Sequence, residues 1–298
     1  MKKIGKKLAA LGLAVATAAA AVGCGGSSSG GNSGSSQGSN SGTGVVKTID
    51  ISLTDELYAF GVDKTNDDLL SKANEYIASV KENGTLDEIC EHYFGDGTPV
   101  GITSAAEDAS KDQLVIATNA EFSPFEYKEG DTFYGIDMEL AQGLADYLGQ
   151  ELVILDVDFE AVCTYVDSGK ADMAIAGLTI NETRKESVNF TDSYYTASQV
   201  VIVPQSNTAF DACASADDVL KVMSDRGSGR IGGQSGTTAE YFVKGDADWG
   251  FDGIANMNWV GYTSGSLAVN DMLAGNIDFV IIDQAPADMI VKKVNAAN

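Results

Sequence analysis

Two series of short apolar runs alternating with helical periodicity constrain this chain more than any other feature. In the first, LVIAT (114–118) reads as a buried strand, and IDMELAQGLADYLG (136–149) sets Ile136, Leu140, Leu144 and Leu148 at i+4 spacing with Ala141 and Ala145 beside them. That spacing predicts an amphipathic helix, ended by Gly149. ELVILDV (151–157), a second amphipathic stretch near 159–168 closed by Ser168-Gly169, and DMAIA (172–176) follow. The second series runs from RIGG (230–233) through a helix after Thr237, a strand near 258–262 and a helix at 266–274 to DFVII (278–282). Strands joined by short helical crossovers form parallel sheets with helices on their faces. The expected fold class is α/β, in two lobes joined through SQVVIVP (198–204).

Residues 45–110 stand outside these series. IDISL (49–53) and LYAFGV (57–62) read as extended, and DDLLSKANEYIASVKENGT (67–85) as a long helix with Leu70, Ala73, Asn74, Ile77 and Val80 on one face. Asp67 and Asp68 suit its start, where the helix dipole favours acids. Leu86 to Phe94 adds one more helical piece.

The N-terminus reads as an address. Lys2, Lys3, Lys6 and Lys7 precede an apolar run from Leu8 to Gly23, mostly alanine, which is too short for a comfortable membrane span and has the layout of an export signal. It ends Ala21-Val22-Gly23-Cys24, which is similar to a lipoprotein signal whose cysteine becomes the lipidated first residue; the alternative is a soluble secreted protein. Residues 25–44 hold 8 Gly and 8 Ser and no side chain suited to a core. Such a segment is a flexible tether with a reach of roughly 25 Å.

Composition removes several function classes. With 19 Lys+Arg against 43 Asp+Glu in 298 residues, the formal net charge is −24, which repels nucleic acid. One histidine, His92, and four cysteines at 24, 90, 163 and 213 without a CxxC spacing leave almost nothing for a zinc site or a histidine-based triad. Cys90 and Cys163 fit as small core residues, and no obligatory disulfide is expected. Neither a metal nor another cofactor is expected.

TNAEFSPFEYKEGDTFYGIDMELA (118–141), DMAIAGLTINETRKESVNFTDSYY (172–195), GQSGTTAEYF (233–242) and AGNIDFVIIDQAPA (274–287) together resemble the polar amino-acid class of bacterial extracellular solute-binding proteins, family 3. The resemblance implies a two-lobed clamshell of the periplasmic-binding-protein type II, each lobe a mostly parallel sheet flanked by helices, joined by two hinge strands. It also implies a monomer that closes on a free amino acid and delivers it to the permease subunits of an ATP-binding-cassette importer, with the membrane reached only through the N-terminal lipid. Family members continue past the aspartate-bearing strand with a crossover strand, a long helix and a short terminal helix, whereas this sequence stops at Asn298. TDELYAFGVDKTNDDLLSKANEYIASVKENGTLDEICEHYFG (54–95) is similar to that segment, placed before the first lobe. A circular permutation is therefore expected, which is tolerated where the old termini lie together at the surface. The rival is an unrelated N-terminal module on a truncated clamshell. The permutation divides the chain into a leader at 1–23, a tether at 24–44, a strand segment of lobe 2 at 45–58, lobe 1 at 59–200 and lobe 2 at 201–298. It makes Tyr58-Ala59-Phe60 one hinge strand and Val200-Val201-Ile202 the other.

An amino acid in a desolvated cleft brings a carboxylate and an ammonium, and neither can be buried unpaired. By the resemblance, Arg184 takes the carboxylate through two parallel hydrogen bonds and Asp283 takes the ammonium beyond the end of its strand. Their bland readings are a surface arginine and a helix N-cap. Gly177 and Thr179 correspond to positions whose backbone groups and hydroxyl complete both charged ends. Thr238 and Thr237 would add an N–H and a hydroxyl from the other lobe. Phe122 and Phe159 match aromatic walls of the cleft. Asn119, Gln234 and Ile282 stand where glutamine-binding relatives carry an acid, a lysine and a histidine, which argues against a strictly cationic ligand and for a neutral polar one.

Other signals carry less. Gly227 to Gly232 fits G-x-G-x-x-G, but its strand follows rather than precedes it. Asp246, Asp248 and Asp252 lack the order of a calcium loop and read as a solvated acidic loop. His92 reads as a partly buried residue of its helix. An enzyme on this fold, as in dehydratases of aromatic precursors, needs a positioned acid or base; Asn119 and Ile282 supply neither. A module sensing a ligand for a receptor stays open beside a transporter component.

Overall fold

In the computed structural model, residues 44–297 are described; the expected leader, the lipidation site Cys24 and nearly all of the tether lie outside them. The elements, in chain order, are β1 (Val46–Ile49), β2 (Glu56–Tyr58), β3 (Gly61–Asp63), α1 (Asp67–Glu82), α2 (Thr85–Phe94), β4 (Gln113–Thr118), β5 (Glu121–Phe122), β6 (Glu126–Glu129), β7 (Thr132–Tyr134), α3 (Ile136–Leu148), β8 (Glu151–Asp156), α4 (Val162–Asp167) and β9 (Met173–Ala174). They continue with α5 (Glu182–Lys185), β10 (Val188–Phe190), β11 (Tyr195–Ala197), β12 (Gln199–Pro204), α6 (Ala216–Asp225), β13 (Gly229–Gln234), α7 (Thr238–Lys244), β14 (Met257–Tyr262), α8 (Gly265–Leu273), β15 (Phe279–Asp283) and α9 (Gln284–Ala296). Of these, α6 and α9 are helices that the sequence pattern does not single out.

Two five-stranded sheets carry the fold, in the orders β10-β3-β9-β4-β8 for lobe 1 and β1-β12-β15-β13-β14 for lobe 2. The strands of the two alternating series do pair in parallel, β4 with β8 and β9, and β13 with β14 and β15. The other two strands of each sheet pair antiparallel, so the sheets are mixed rather than mostly parallel. The reason is connectivity: β1, β3, β10 and β12 belong to the two segments that pass from one lobe to the other, and they enter against the direction of the crossover strands. β12 and β15 are buried along nearly their whole lengths, as expected of apolar strands covered on both faces.

Between the sheets the chain crosses twice, in the two-stranded ladder β2–β11 with Tyr58 opposite Tyr195. Val200-Val201-Ile202 is not a crossing strand; it lies inside the lobe 2 sheet, between β1 and β15. Segment 46–63 thus gives a strand to lobe 2, one to the crossing and one to lobe 1, before α1 and α2 pack on lobe 1. β1 is held against the last helix by Asn295, whose Oδ1 accepts from the N–H of Val45 at 2.8 Å and whose Nδ2 donates to Val46 O at 2.9 Å.

Asn66 caps α1 by accepting from Leu69 N at 3.1 Å, and Asp67 and Asp68 occupy its first turn. Its buried face is Leu69, Ala73, Tyr76, Ile77 and Val80. That face is rotated from the expected one: Leu70 and Asn74 are at its margin, and Asn74 Oδ1 accepts from Asp192 N at 2.7 Å. Tyr76, amphipathic by chemistry, outranks Asn74 for burial because its ring covers more apolar area. Cys90, Cys163 and Cys213 are free thiols.

α3 starts from a backbone position that only glycine fits. Gly135 has φ +128°, and a Cβ there would lie 2.0 Å from Phe125 O. Gly135→Ala is expected to destabilise the protein by about 2 kcal/mol or more, read as a lower urea midpoint, because backbone strain and a clash with a fixed carbonyl act together. An unchanged midpoint would mean that the β7–α3 turn packs more loosely on Phe125 than described.

Candidate functional site

The expected binding residues converge where the two lobes meet. From lobe 1, Phe122, Phe159, Gly177, Thr179 and Arg184 line a cavity of about 10 Å³, and Thr237, Thr238 and Asp283 close it from lobe 2. An amino acid is far larger, so it can enter only if the lobes part. Asn119 and Gln234 lie beside this group and bond across it: Gln234 Nε2 donates to Asn119 Oδ1 at 2.7 Å, and Asn119 Nδ2 donates to Val157 O at 2.7 Å. Ile282 is not brought to the cavity. Neighbours on a strand face opposite sides, so with Asp283 turned to the cleft, Ile282 packs toward Gly265 of α8.

Thr179 and Arg184 are placed by the turn after β9. The crossing segment pairs with this turn: Ala59 N donates to Leu178 O at 3.0 Å and Ile180 N to Leu57 O at 3.0 Å. Gly177 sits at φ +53°, with Phe122 where a Cβ would need room. Its N–H is committed to Asp137 Oδ2 at 2.7 Å, so toward the cleft Gly177 can offer only its carbonyl. Asp137 also accepts from Tyr194 Oη at 2.6 Å. Burial pushes Asp137 up to about 6, although these hydrogen bonds favour its charged form. Neighbouring Glu126 is held well above the usual carboxylate range by burial and then by the charge of Asp137.

Asn181 caps α5 by accepting from Arg184 N at 2.8 Å, which fixes the root of the arginine. The part-buried guanidinium lies between two aromatic rings, Phe159 and Trp249, each 5.3 Å away. Its Nη1 donates to Thr179 O at 2.9 Å and its Nη2 to Gly236 O at 3.1 Å, one bond to each lobe. Three of the five N–H donors are left over, and among the described residues no ion pair includes Arg184. Burial draws its pKa down.

Asp283 is 4% exposed and stands at the N-cap position of α9, but its side chain makes no cap bond to the helix. Its Oδ1 accepts from Tyr58 Oη at 2.5 Å. Burial and then the negative charge of Glu56 push Asp283 up to about 7, against hydrogen bonds from Tyr58 and Gln199. An ammonium at this carboxylate would restore its charged form.

The two threonines differ from expectation in one respect. Thr237 donates its hydroxyl to Gln234 O at 2.7 Å, and Thr238 donates its hydroxyl to Glu56 Oε2 at 2.6 Å. Neither hydroxyl hydrogen is directed to a ligand anion, which leaves the backbone N–H groups for that task.

Sequence reasoning missed two residues here. Glu56, on β2, is buried at the centre of the site. Trp249 belongs to the acidic loop read as merely solvated. Asp246 Oδ1 accepts from the N–H of Asp248 and of Trp249, and the resulting turn lays the indole on Tyr241, 4.4 Å away, and over Arg184. A tryptophan among aspartates was the available signal. His92, by contrast, is partly buried in α2 and meets Glu139 at 2.9 Å.

The family model for bacterial extracellular solute-binding proteins, family 3, matches residues 114–296. The arginine-binding extracellular protein ArtP of Bacillus subtilis (strain 168) is 38% identical over 105 residues, covering 35% of this chain and 41% of that protein. The histidine-binding periplasmic protein of Escherichia coli (strain K12) is 25% identical over 185 residues, covering 62% and 65%. The chain thus spans less than two thirds of either relative. Among solved structures, an ancestral arginine-binding protein bound to glutamine is 31% identical with a TM-score of 0.52, covering 63% of this chain and 76% of that one.

Proposed function

This chain belongs to the bacterial extracellular solute-binding proteins, family 3, and we propose that it captures a free amino acid between its two lobes and delivers it to an ATP-binding-cassette importer. One observation carries the reading: among the described residues Arg184, lying over two rings, keeps three donors and no carboxylate ion-pair partner, while Asp283 on the same cavity has no cationic one. A buried cation and a buried anion that are not paired with each other suit a zwitterion, whose carboxylate and ammonium complete both. Phe122, Phe159, Gly177, Thr179, Thr237 and Thr238 form the rest of the proposed site. Contacts from both lobes make closure depend on ligand, since a ligand shifts an equilibrium only through differential affinity.

The side chain selected is neutral and polar, with glutamine a leading instance. Asn119 and Gln234 bring no charge, and Gln234 Oε1 is buried without a partner, so a ligand side chain that donates a hydrogen bond is favoured there. An ancestral relative holding glutamine is in keeping with this. The curated relatives matched are binding proteins, which favours transport over dehydratase chemistry. A receptor in place of the permease is the second reading, separated from the first by neighbouring permease and ATPase genes.

The protein works outside the cytoplasm, held to the membrane by a lipid on Cys24 and a Gly/Ser tether. Without the leader and its four lysines the net charge is 15 − 43 = −28, which keeps the body off an anionic surface. The chain is a circular permutant of the family pattern, with lobe 1 running from β3 to β10 and lobe 2 formed by β1 and by β12 to α9, on either side of the β2–β11 crossing. The delivery of β1, β2 and β3 to lobe 2, the crossing and lobe 1 in turn, and the Asn295–β1 bonds, support that order.

The test is a thermal-shift screen of the protein against the twenty amino acids, cystine and ornithine. A ligand far above its Kd is expected to raise Tm through mass action, with a neutral polar amino acid giving the largest shift. No shift from a folded protein would sink the amino-acid reading.

A further inference from the structure

Glu56 is the most fully bonded charged group in the cleft, and it comes from the crossing strand rather than from either lobe. Its neighbours Asp55 and Leu57 are exposed, while Glu56 itself is 4% exposed. Oε1 accepts from Thr54 Oγ1 at 2.7 Å and Gln199 Nε2 at 2.8 Å; Oε2 accepts from Thr179 Oγ1 and Thr238 Oγ1, both at 2.6 Å. A carboxylate has about four lone-pair sites, and four donors fill them. Thr54 in turn accepts from Gln199 N at 2.9 Å, which leaves its single hydroxyl hydrogen for Glu56.

A hydroxyl has one hydrogen and two lone pairs. Glu56 takes the hydrogen of Thr179 and, as the nearer acceptor at 2.6 Å against 3.2 Å for Thr179 Oγ1, that of Thr238, so these two hydroxyls can present only lone pairs to the cavity they line. The Gly177 N–H is likewise spent on Asp137, leaving a carbonyl. With the Asp283 carboxylate, this end of the cavity is made of acceptors alone. An ammonium has three donors and no acceptor, and so fits it; a hydroxyl, with one donor and two lone pairs, does not.

We propose that Glu56 is a positioning residue of the ligand site, which by fixing the Thr179 and Thr238 hydroxyls as acceptors makes the site select a protonated amine. The inference rests on the amino-acid reading above. Glu56 has no lone pair left for the ligand and acts through the threonines.

The experiment is calorimetric titration of the protein and of Glu56→Gln with the twenty L-amino acids and, for each that binds, with the α-hydroxy acid of the same side chain. The unaltered protein is expected to prefer the amino acid at least 100-fold. In Glu56→Gln the amide oxygen is held at the Oε1 place by Gln199, which cannot turn as a hydroxyl can, so the amide N–H donates toward Thr179 or Thr238 and turns that threonine's hydrogen to the cavity. Affinity for the amino acid is expected to fall at least tenfold while that for the α-hydroxy acid changes less than twofold, so the preference narrows. Should Glu56→Gln fail to fold, Thr179→Val, which removes one acceptor and leaves Glu56, is expected to show the same selective loss. Equal losses for both compounds, or none, would overturn the proposal and leave amino-acid binding standing. An unaltered protein that binds no amino acid would overturn both.

Discussion

Arg184→Ala is expected to abolish amino-acid binding at concentrations that saturate the unaltered protein. Removing one partner of a desolvated, hydrogen-bonded charge pair costs about 2–5 kcal/mol, or roughly 30- to 5,000-fold in Kd. The upper part of that range is expected, because Asn181 holds the Arg184 backbone, and Phe159, Trp249 and the carbonyls of Thr179 and Gly236 hold the guanidinium, before any ligand arrives. Prepositioned donors lose little further entropy on binding. Arg184→Lys is expected to recover only part of the loss, since an ammonium neither stacks between the rings nor makes parallel bonds. Calorimetry with the amino acid identified by the thermal-shift screen reads both variants. Wild-type affinity in Arg184→Ala would place the ligand carboxylate elsewhere.

The second large effect is a pH dependence of opposite sign for ligand-free stability and for ligand affinity. Asp137, raised to about 6, and Asp283, raised to about 7, hold protons in the native state at pH values where the unfolded chain has released them. Burial and the charge of Asp137 act on Glu126 in the same direction. Wherever the native state binds more protons, stability falls as pH rises, so the ligand-free protein is expected to lose several kcal/mol between pH 4 and pH 8, at about 1.4 kcal/mol for each tenfold difference in proton affinity between the folded and unfolded chain. The carboxylates with lowered pKa, such as Asp108 and Asp218, lie at the surface, where screening leaves them little weight, and they act only below pH 4. A ligand ammonium facing Asp283 gives the affinity the opposite pH dependence, while Asp137 and Glu126 act on the complex as they do on the ligand-free protein. Below about pH 7 that carboxylate must first lose a proton, so apparent affinity is expected to fall by up to about tenfold per unit of pH. Thermal unfolding at pH 5 and pH 8 reads both signs: the ligand-free Tm is higher at pH 5, and the rise produced by ligand is larger at pH 8. A ligand effect of equal size at both would mean that Asp283 meets no ammonium.

The architecture was legible where burial and periodicity agree. β4, α3, β8, β13, α8 and β15 all lie within a residue or two of the positions their apolar patterns predict, because each has one strongly apolar face or is buried throughout. Arg184 and Asp283 were singled out by the family resemblance of the blocks around them, and the structure brings both to one cavity, Arg184 after the turn that follows β9 and Asp283 at the end of β15. Glu56 was not, and its strand shows why. β2 buries Glu56 and Tyr58 and leaves Leu57 48% exposed, inverting the polarity by which a half-buried strand is read. Only the four donors contributed by Thr54, Thr179, Gln199 and Thr238, up to 182 residues away in sequence, make that burial tolerable. Trp249 was hidden for a related reason: its loop is acidic, and the apolar surface it covers is supplied by Arg184 and Tyr241 from elsewhere. The crossing strands were misplaced because the apolar run QVVIVP is as compatible with the middle of a sheet, where β12 lies, as with a link between sheets.

The central claim is that Arg184 and Asp283 receive the two charged ends of one amino acid between the lobes. A crystal structure of the protein with the amino acid selected by the thermal-shift screen tests it most directly. The account predicts that the ligand carboxylate lies on the Arg184 guanidinium, that its ammonium meets Asp283 and the Thr179 hydroxyl, and that Thr238 touches the ligand from the other lobe. Ligand bound instead in the groove of about 420 Å³ on the other side of Asp283, lined by Tyr58, Phe94, Phe125 and Tyr195, would contradict it.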